Sequence, residues 1–286
     1  MLVPAVAAAR SKWTPHYSIC SEIFEGWNVE KTAPFISKLG YRGLEIAPFW
    51  LADHVDAVPP KRRTEIRRVL ADNGVVCSGL HWLLITPKWL HVTTPDAKVR
   101  NDSWDYVRKL TDLCADLGGK IMVFGSPKQR TSQGIPAKLA VNHLVEGMAR
   151  VAPHAGQRGV TICMEPIPSN QSCDVVNTMQ EAAEVVKRVG HRAIQSMFDV
   201  HNTSDEKETA DRLIRKYSRI IRHVHINEMD GSYPGTRGYD FKPVFSALKE
   251  IGYRGWTSLE AFDFKPGTEK IAVESMEFMR RVADSM

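Results

Sequence analysis

Cysteine is scarce in this 286-residue chain and follows no pattern. The five cysteines form an odd set without C-x-x-C spacing, and most stand in apolar runs: Cys20, Cys77, Cys114, Cys163 and Cys173. In such runs a small buried thiol is expected rather than a disulfide. The sequence therefore predicts a protein of a reducing compartment, the cytoplasm.

Long hydrophobic runs and a strong charge imbalance are also missing from the sequence. The apolar residues 1–10 have no basic start and are too few to span a bilayer, so residues 1–14 are interpreted as an N-terminal arm. The net charge of +5 is modest, and basic residues such as Lys61, Arg62 and Arg63 recur at helical spacing, as on a solvated helix face. We therefore expect neither a membrane nor a nucleic-acid partner.

What the chain does contain is a regular alternation of strand-like and helix-like segments. Hydrophobic residues make up 43% and charged residues 25%, which is typical of a globular protein that buries about three quarters of its unfolded surface. Eight strands are predicted, at residues 17–20, 43–46, 75–80, 120–124, 160–164, 195–198, 220–226 and 256–259. Such alternation favours a parallel α/β fold.

Helix boundaries in the sequence support a repeated unit. The stretch from Leu39 to Glu45 resembles the one from Ile251 to Trp256, and in both a glycine closes a helix just before a strand. Capping patterns beginning at Thr94, Thr178 and Thr203 predict helix starts. Eight such units fit one (β/α)8 TIM barrel over residues 1–286 better than a doubly wound sheet, and no G-x-G-x-x-G or P-loop follows an early strand.

The predicted seventh strand carries histidines on one face and branched apolar residues on the other. His223 and His225 alternate with Val224 and Ile226 at the period of a strand. This pattern suits a barrel whose polar interior opens into a site, and it makes His225 a candidate metal ligand. The alternative is that both are hydrogen-bonded core histidines.

Three more polar side chains close neighbouring strands. Glu165 follows strand five, Asp199 ends strand six and Glu260 follows strand eight. Active sites of TIM barrels lie at these C-terminal strand ends, so we expect the three carboxylates and His225 to converge. An isolated acid at a strand end is commonly just solvated, but four such residues on successive strands indicate a site.

Three carboxylates and one imidazole at one barrel mouth would repel one another unless a cation neutralised them. This is the physical reason to predict a divalent metal held by Glu165, Asp199, His225 and Glu260. Because the ligands are mostly oxygen and include no thiolate, Mn²⁺ or Mg²⁺ is favoured, and Co²⁺ or Zn²⁺ can substitute.

Short motifs spread over nearly the whole chain carry a family resemblance. They are Leu44-Glu45-Ile46, Met164-Glu165-Pro166, Phe198-Asp199, His223-Val224-His225, Asn227-Glu228, Pro234-Gly235, Tyr239-Asp240-Phe241 and Gly252-Tyr253 leading to Leu259-Glu260. With them the chain resembles the sugar isomerase/epimerase superfamily with xylose-isomerase-like TIM barrels. That superfamily includes D-tagatose 3-epimerases, hydroxypyruvate isomerases, keto-inositol dehydratases and endonuclease IV. The spacing of the four candidate ligands resembles that of the metal ligands of ketose 3-epimerases.

Further strand-end residues are candidates for binding the substrate. His81 and Trp82 follow strand three and fit a sugar-facing wall, although local packing under a loop is the alternative. In the resembled epimerases a substrate histidine stands three residues after the metal aspartate, whereas here His201 stands two residues after Asp199. Glu228 matches the glutamate after strand seven. The arginine that the family carries next is missing, and Arg237 is the candidate replacement.

The resemblance implies a metal-dependent isomerase or epimerase that acts on a ketose or keto-polyol through an enediolate. Glu165 and Glu260 would remove and return the proton, while Asp199 and His225 mainly hold the metal. The departures around His201 and Arg237 place the usual free-ketohexose substrate in question. The expected partner is a small sugar or polyol, and a homo-oligomer is compatible with the sequence.

Three other functions remain open at this stage. A lyase of the keto-inositol dehydratase or 3-keto-glycoside deglycosidase type would use the same metal site and the same first proton abstraction. An endonuclease-IV-like DNA repair nuclease would need a trinuclear zinc site and more strand-end ligands than the sequence offers. A sugar-binding barrel without catalysis would keep the same acids.

Overall fold

Eight parallel strands close into a barrel in the computed structural model, which describes residues 13–286. The strands are β1 (His16–Cys20), β2 (Gly43–Ile46), β3 (Val76–Leu80), β4 (Ile121–Phe124), β5 (Thr161–Met164), β6 (Ile194–Asp199), β7 (Ile221–Ile226) and β8 (Trp256–Leu259). Each strand pairs with its neighbours in chain order, and β8 pairs back onto β1. The predicted single TIM barrel is confirmed, and every predicted strand overlaps an observed one.

Helices cover the outside of the barrel. Within residues 13–286 they are α1 (Val29–Leu39), α2 (Pro48–Leu51), α3 (Pro60–Asp72), α4 (Ala97–Asp116), α5 (Ala137–Gln157), α6 (Met179–Val189), α7 (Ala210–Lys216), α8 (Lys242–Glu250) and α9 (Thr268–Asp284). The outward faces of the strands pack against them. In one such contact Trp104 of α4 stacks on Phe124 of β4, with ring centroids 5.4 Å apart.

Of the three capping patterns, only the one at Thr178 forms as predicted. There Thr178 and Glu181 make a complete capping box at the start of α6. The prediction at Thr94 is wrong because the Asp96 carboxylate accepts the first free N–H groups of α4 instead. The pattern at Thr203 also fails, since its acid, Glu206, accepts a hydrogen bond from the backbone N–H of another segment and α7 begins only at Ala210.

The interior of the barrel changes character along its axis. A small apolar cluster of Val123, Cys163 and Met197 fills part of it. Toward the C-terminal strand ends the inward residues become polar and include His223 and His225, both buried. This layering places charged groups in a low-dielectric setting directly above a packed core, where their interactions are strong.

Other sequence predictions concern the termini and the thiols. The predicted arm, residues 1–14, lies almost wholly outside the described residues. Among residues 13–286 no helix combines the length and the apolar character needed to cross a membrane. All five cysteines are buried and free, as expected of small core side chains.

Candidate active site

Four side chains meet at the C-terminal end of the barrel. Glu165 directly follows β5, Asp199 closes β6, His225 lies in β7 and Glu260 directly follows β8. Each offers one ligand atom, and these atoms all lie within 4.8 Å of one another. All four residues are buried. The structure thus brings together the metal quartet that the sequence predicts, because parallel strands present their last residues at the same edge.

The imidazole of His225 is held by a carboxylate on its far side. Its Nε2 lies 3.1 Å from Oε1 of Glu45, while the other oxygen of Glu45 lies 2.7 Å from His223 Nε2. When Nε2–H of His225 donates to Glu45, Nδ1 is left with its lone pair toward the quartet. This arrangement is the usual support of a metal-binding histidine. His223, in contrast, is a hydrogen-bonded core histidine, the alternative that the sequence left open.

Two of the carboxylates, Glu165 and Asp199, have raised pKa values. Burial, reinforced by the charges of Glu260 and Asp199, raises the pKa of Glu165 well above its ordinary value. Burial likewise raises the pKa of Asp199 to about 6, with Glu260 contributing to the rise. Like charges crowded away from water are the direct cause. A positive charge among these oxygens would relieve both groups.

Glu260 behaves differently because it faces imidazoles. Burial pushes its pKa upward, but the nearby imidazoles of His225 and His81 outweigh burial and hold the pKa of Glu260 below its ordinary value. Its Oε2 lies 3.0 Å from His225 Nδ1, and its Oε1 lies 3.4 Å from His81 Nδ1. Glu260 is therefore the carboxylate of the quartet that is most firmly ionised.

The residues present fit a divalent metal. The donor set is three carboxylates and one imidazole, which suits a hard or borderline cation. Among residues 13–286, the buried atoms His225 Nδ1 and Glu260 Oε2 have no hydrogen-bond partner, although they face each other. Buried polar atoms of this kind normally have a partner. A cation between the four side chains would provide one.

Asn202 is a site residue to which the sequence analysis assigned no role. Its Nδ2 donates to Glu165 Oε1 at 2.9 Å and to Asp199 Oδ2 at 3.0 Å, and its Oδ1 accepts from Gln171 Nε2 at 2.9 Å. The amide thus bridges two carboxylates of the quartet. The available signal was its position, three residues after Asp199, where the resembled epimerases place a substrate histidine.

A cavity of about 330 Å³ opens beside the quartet. Glu165 and Glu260 line it together with three of the predicted substrate residues, His81, Trp82 and His201. Trp82 has a left-handed backbone, with φ of +52°, and its Nε1–H donates to Glu260 Oε1 at 3.1 Å. A non-glycine residue in this region costs about 1–3 kcal/mol and is found mainly at functional sites.

The other two predicted substrate residues lie elsewhere. Glu228 is buried and accepts backbone N–H groups from Gly235, Thr236 and Tyr239, so it organises the loop after β7. Arg237 is exposed and donates to the carboxylate of Asp230 at 2.7 Å. Neither is among the residues that line the cavity. Their predicted contact with substrate is not supported by this geometry.

A buried carboxylate that the sequence analysis missed stands behind His81. Glu22 lies in the turn directly after β1, and its Oε2 is 2.8 Å from His81 Nε2. His81 is thereby flanked by Glu22 on one side and Glu260 on the other. Its place just beyond a strand end was the signal, since that is where the other acids of the site were found.

The sequence is similar to those of curated sugar epimerases over much of its length. The chain is 26% identical to D-psicose 3-epimerase of Ruminiclostridium cellulolyticum over 237 residues, 82% of this chain and 78% of the relative. It is 25% identical to ketose 3-epimerase of Arthrobacter globiformis over 199 residues, 68% of this chain and 67% of that protein.

The structural comparison extends over nearly the whole chain. The solved structure of D-psicose 3-epimerase with D-tagatose from Clostridium cellulolyticum H10 superposes with a TM-score of 0.82 at 21% identity. The match covers 94% of this chain and 99% of that one. At this identity the likeness concerns the fold. A family described as xylose isomerase-like TIM barrel matches residues 34–282, and this chain belongs to that family.

Proposed function

We propose that this protein is a divalent-metal-dependent epimerase or isomerase that acts on a ketose or keto-polyol through an enediolate. The observation that carries the proposal is that Glu165 and Glu260 line one cavity although they follow different strands, β5 and β8. Two carboxylates placed around one bound sugar can serve the two faces of the same carbon. Relatives named as ketose 3-epimerases support the same reaction class.

The side chains divide the work in this proposal. Glu165, Asp199, His225 and Glu260 would hold the metal, for which Mn²⁺ is our first choice. When bound, the metal would act as a Lewis acid toward a carbonyl and its developing negative charge. Asn202 keeps the Glu165 and Asp199 carboxylates in place, and Glu45 keeps His225 in the tautomer that exposes Nδ1.

The proton transfer needs one carboxylate as base and the other as acid. One glutamate of the pair takes the C–H proton next to the substrate carbonyl, and the electron pair moves into the enediolate. The second glutamate, in its protonated form, delivers a proton to the opposite face of the same carbon. The configuration at this carbon is inverted, and the product has the same atoms as the substrate. Trp82 fixes Glu260 by its Nε1–H bond.

Solvent deuterium exchange tests the proposal. Glu165→Gln and Glu260→Gln should each slow incorporation of deuterium at the substrate α-carbon by about 10²- to 10⁴-fold, the usual contribution of a general acid or base. Glu250→Gln, which alters an exposed carboxylate paired with Arg215, is the matched control and should exchange like the unaltered protein. Exchange at the unaltered rate in either cavity variant would rule out the assigned pair.

A lyase is the second candidate because His201 also lines the cavity. Its Nδ1 lies 2.9 Å from the Met229 carbonyl oxygen, so that nitrogen carries a proton and Nε2 is left for the substrate. A histidine there could protonate a leaving hydroxyl or aglycone β to the carbonyl. Incubation with free ketoses and keto-inositols separates the two outcomes, since a lyase yields an absorbing enone and an epimerase yields a new epimer.

A further inference from the structure

A second and larger opening lies directly beside the catalytic cavity. It encloses about 930 Å³, against about 330 Å³ for the cavity at the quartet. Trp82 and Phe262 line both spaces, so the two share a wall. We call the larger space the aromatic cleft, because six of its lining residues are aromatic: Trp27, Phe49, Trp50, Trp82, Phe262 and Phe264.

Two aromatic side chains of the cleft, Trp50 and Trp82, are fixed by hydrogen bonds of their indole N–H groups. The indole of Trp50 donates from Nε1 to the Phe24 carbonyl at 3.1 Å, and Trp82 is tied to Glu260. Phe262 and Phe264 nevertheless remain 39% and 37% exposed. Clustered exposed aromatic surface usually marks a binding site, because each ring left in water forgoes the free energy of burial. This exposed aromatic surface makes the cleft a candidate binding site.

Polar groups at the cleft indicate which kind of ligand. Glu22 lines it and is 9% exposed, and its Oε1 has no hydrogen-bond partner in the part of the chain that the structure describes. Glu25 and Asn28 add exposed acceptors and donors at the rim, and Lys31 stands 3.6 Å above the Trp27 ring. Flat aromatic faces combined with a few hydrogen-bonding groups suit a ring with C–H faces and hydroxyl edges. That is the chemistry of a sugar ring.

We propose that the aromatic cleft binds a second sugar ring, joined by a glycosidic bond to the sugar in the catalytic cavity. The substrate class is then a two-ring keto-glycoside rather than a free monosaccharide. Small-molecule sites span about 300–1,000 Å³, so the catalytic cavity has the size for one ring and the cleft has room for the next. This inference rests on the proposed function for the ring at the quartet.

Binding measurements test the inference without requiring turnover. Titration calorimetry on the metal-loaded protein compares methyl 3-keto-α-D-glucoside, which has one ring, with 3-keto-trehalose, which has two. We expect the two-ring probe to bind at least about tenfold more tightly, a modest gain for one stacked ring. Phe264→Ala should remove that gain and leave the one-ring affinity unchanged. Phe49→Ala, which alters another residue of the cleft, repeats the test independently.

The matched control is Trp89→Ala. Trp89 is 49% exposed and belongs to the lining of neither space, so its removal should alter neither affinity. Equal affinity for the two probes would overturn the inference, and so would a Phe264→Ala variant that weakens both probes alike. If Phe264→Ala instead turns a dimer into a 32.2 kDa monomer without affecting either probe, the cleft is covered by a second copy and the inference also fails.

Deuterium exchange on the same two ketones separates the two proposals. A two-ring preference in binding, with no α-proton exchange in either ketone, would overturn the proposed function and keep the cleft as a sugar site. Exchange in both ketones without a two-ring preference would keep the proposed function and overturn the assignment of the cleft as a sugar site. Preference together with faster exchange of the two-ring ketone supports both.

Discussion

The two halves of the barrel contribute different things to the site. Strands β5 to β8 supply all four members of the candidate metal quartet, whereas β1 to β4 and their loops supply none of them. The first half instead contributes His81 and Trp82, and with them most of the aromatic cleft. The second half thus supplies the charged candidate metal ligands, and the first half supplies most of the aromatic surface that shapes the cleft. A barrel can in this way alter what it binds without disturbing the groups that do the chemistry.

The halves are nevertheless joined at two of the ligands. Glu45 of β2 holds the far side of His225, and His81 and Trp82 after β3 both contact Glu260. Partners of this kind orient a ligand and adjust its basicity. The first half therefore acts on the candidate metal site indirectly, through the orientation of two of its ligands.

The largest expected effect comes from removing the cation from the second half. Chelation should abolish activity and leave the protein folded, because the packed strand and helix faces do not include the quartet. The melting temperature should fall modestly as the carboxylates lose their counter-charge. Activity and circular dichroism are measured after chelation and again after adding Mn²⁺, Mg²⁺ or Zn²⁺ separately. Unchanged activity would exclude a catalytic metal, and global unfolding would show that the metal is structural.

A smaller loss should follow from Glu45→Gln in the first half. The amide cannot provide the negative charge that holds His225, so affinity for Mn²⁺ should fall by about 10- to 100-fold, the usual effect of losing such a partner. Calorimetric titration with Mn²⁺ measures it. Glu22→Gln is the matched control, because Glu22 is another buried carboxylate, and it pairs with His81 and not with a ligand. If both variants bind Mn²⁺ equally well, the two halves are independent.

Trp82→Phe tests the second connection. It keeps an aromatic wall but removes the N–H that donates to Glu260 at 3.1 Å. A hydrogen bond to a charged group contributes about 1.5–3 kcal/mol, so kcat should fall by about tenfold or more, while KM changes little. Trp50→Phe removes a similar N–H that bonds only the Phe24 backbone. Steady-state rates that drop equally in both variants would assign the effect to general packing.

The same division explains what could be predicted from the sequence. The quartet was predictable because Glu165, Asp199, His225 and Glu260 close strands whose alternation shows which side chains face inward. The cleft was not, since Phe49 lies in the short helix α2 and Phe264 in a loop, where no periodicity reports direction. Local patterns determine strands well. They do not determine how loops approach one another.

The two predicted substrate residues that do not line the cavity illustrate the same limit. Glu228 was expected at the substrate because it follows β7, but the loop turns back so that its own N–H groups satisfy the carboxylate. Arg237 then pairs with Asp230 within that loop. A contact of this kind depends on the path of the loop, which the order of residues does not reveal.

The smallest expected effect is that of changing Cys20, which tests whether residues of the first half bind a metal. Two alternative groups of potential ligands include Cys20 and His81. In both, the histidine or the carboxylate is already engaged, His81 with Glu22 and Glu45 with the two histidines of β7. Cys20 Sγ itself lies 3.8 Å from its polar neighbours, too far for strong bonds.

Cys20→Ser should therefore leave Mn²⁺ affinity and activity unchanged, since Sγ is not among the quartet's donors. Cobalt-loaded protein should show no thiolate-to-metal charge-transfer absorption, which a cobalt–sulfur bond would produce. A serine variant with weakened metal binding, or such an absorption in the unaltered protein, would move the metal toward β1 and β3. In that case the second half would not be the sole source of the metal ligands, and the division of roles between the halves would be wrong. If the serine variant binds Mn²⁺ normally and no charge-transfer absorption is seen, the first half acts on the metal only through Glu45, His81 and Trp82.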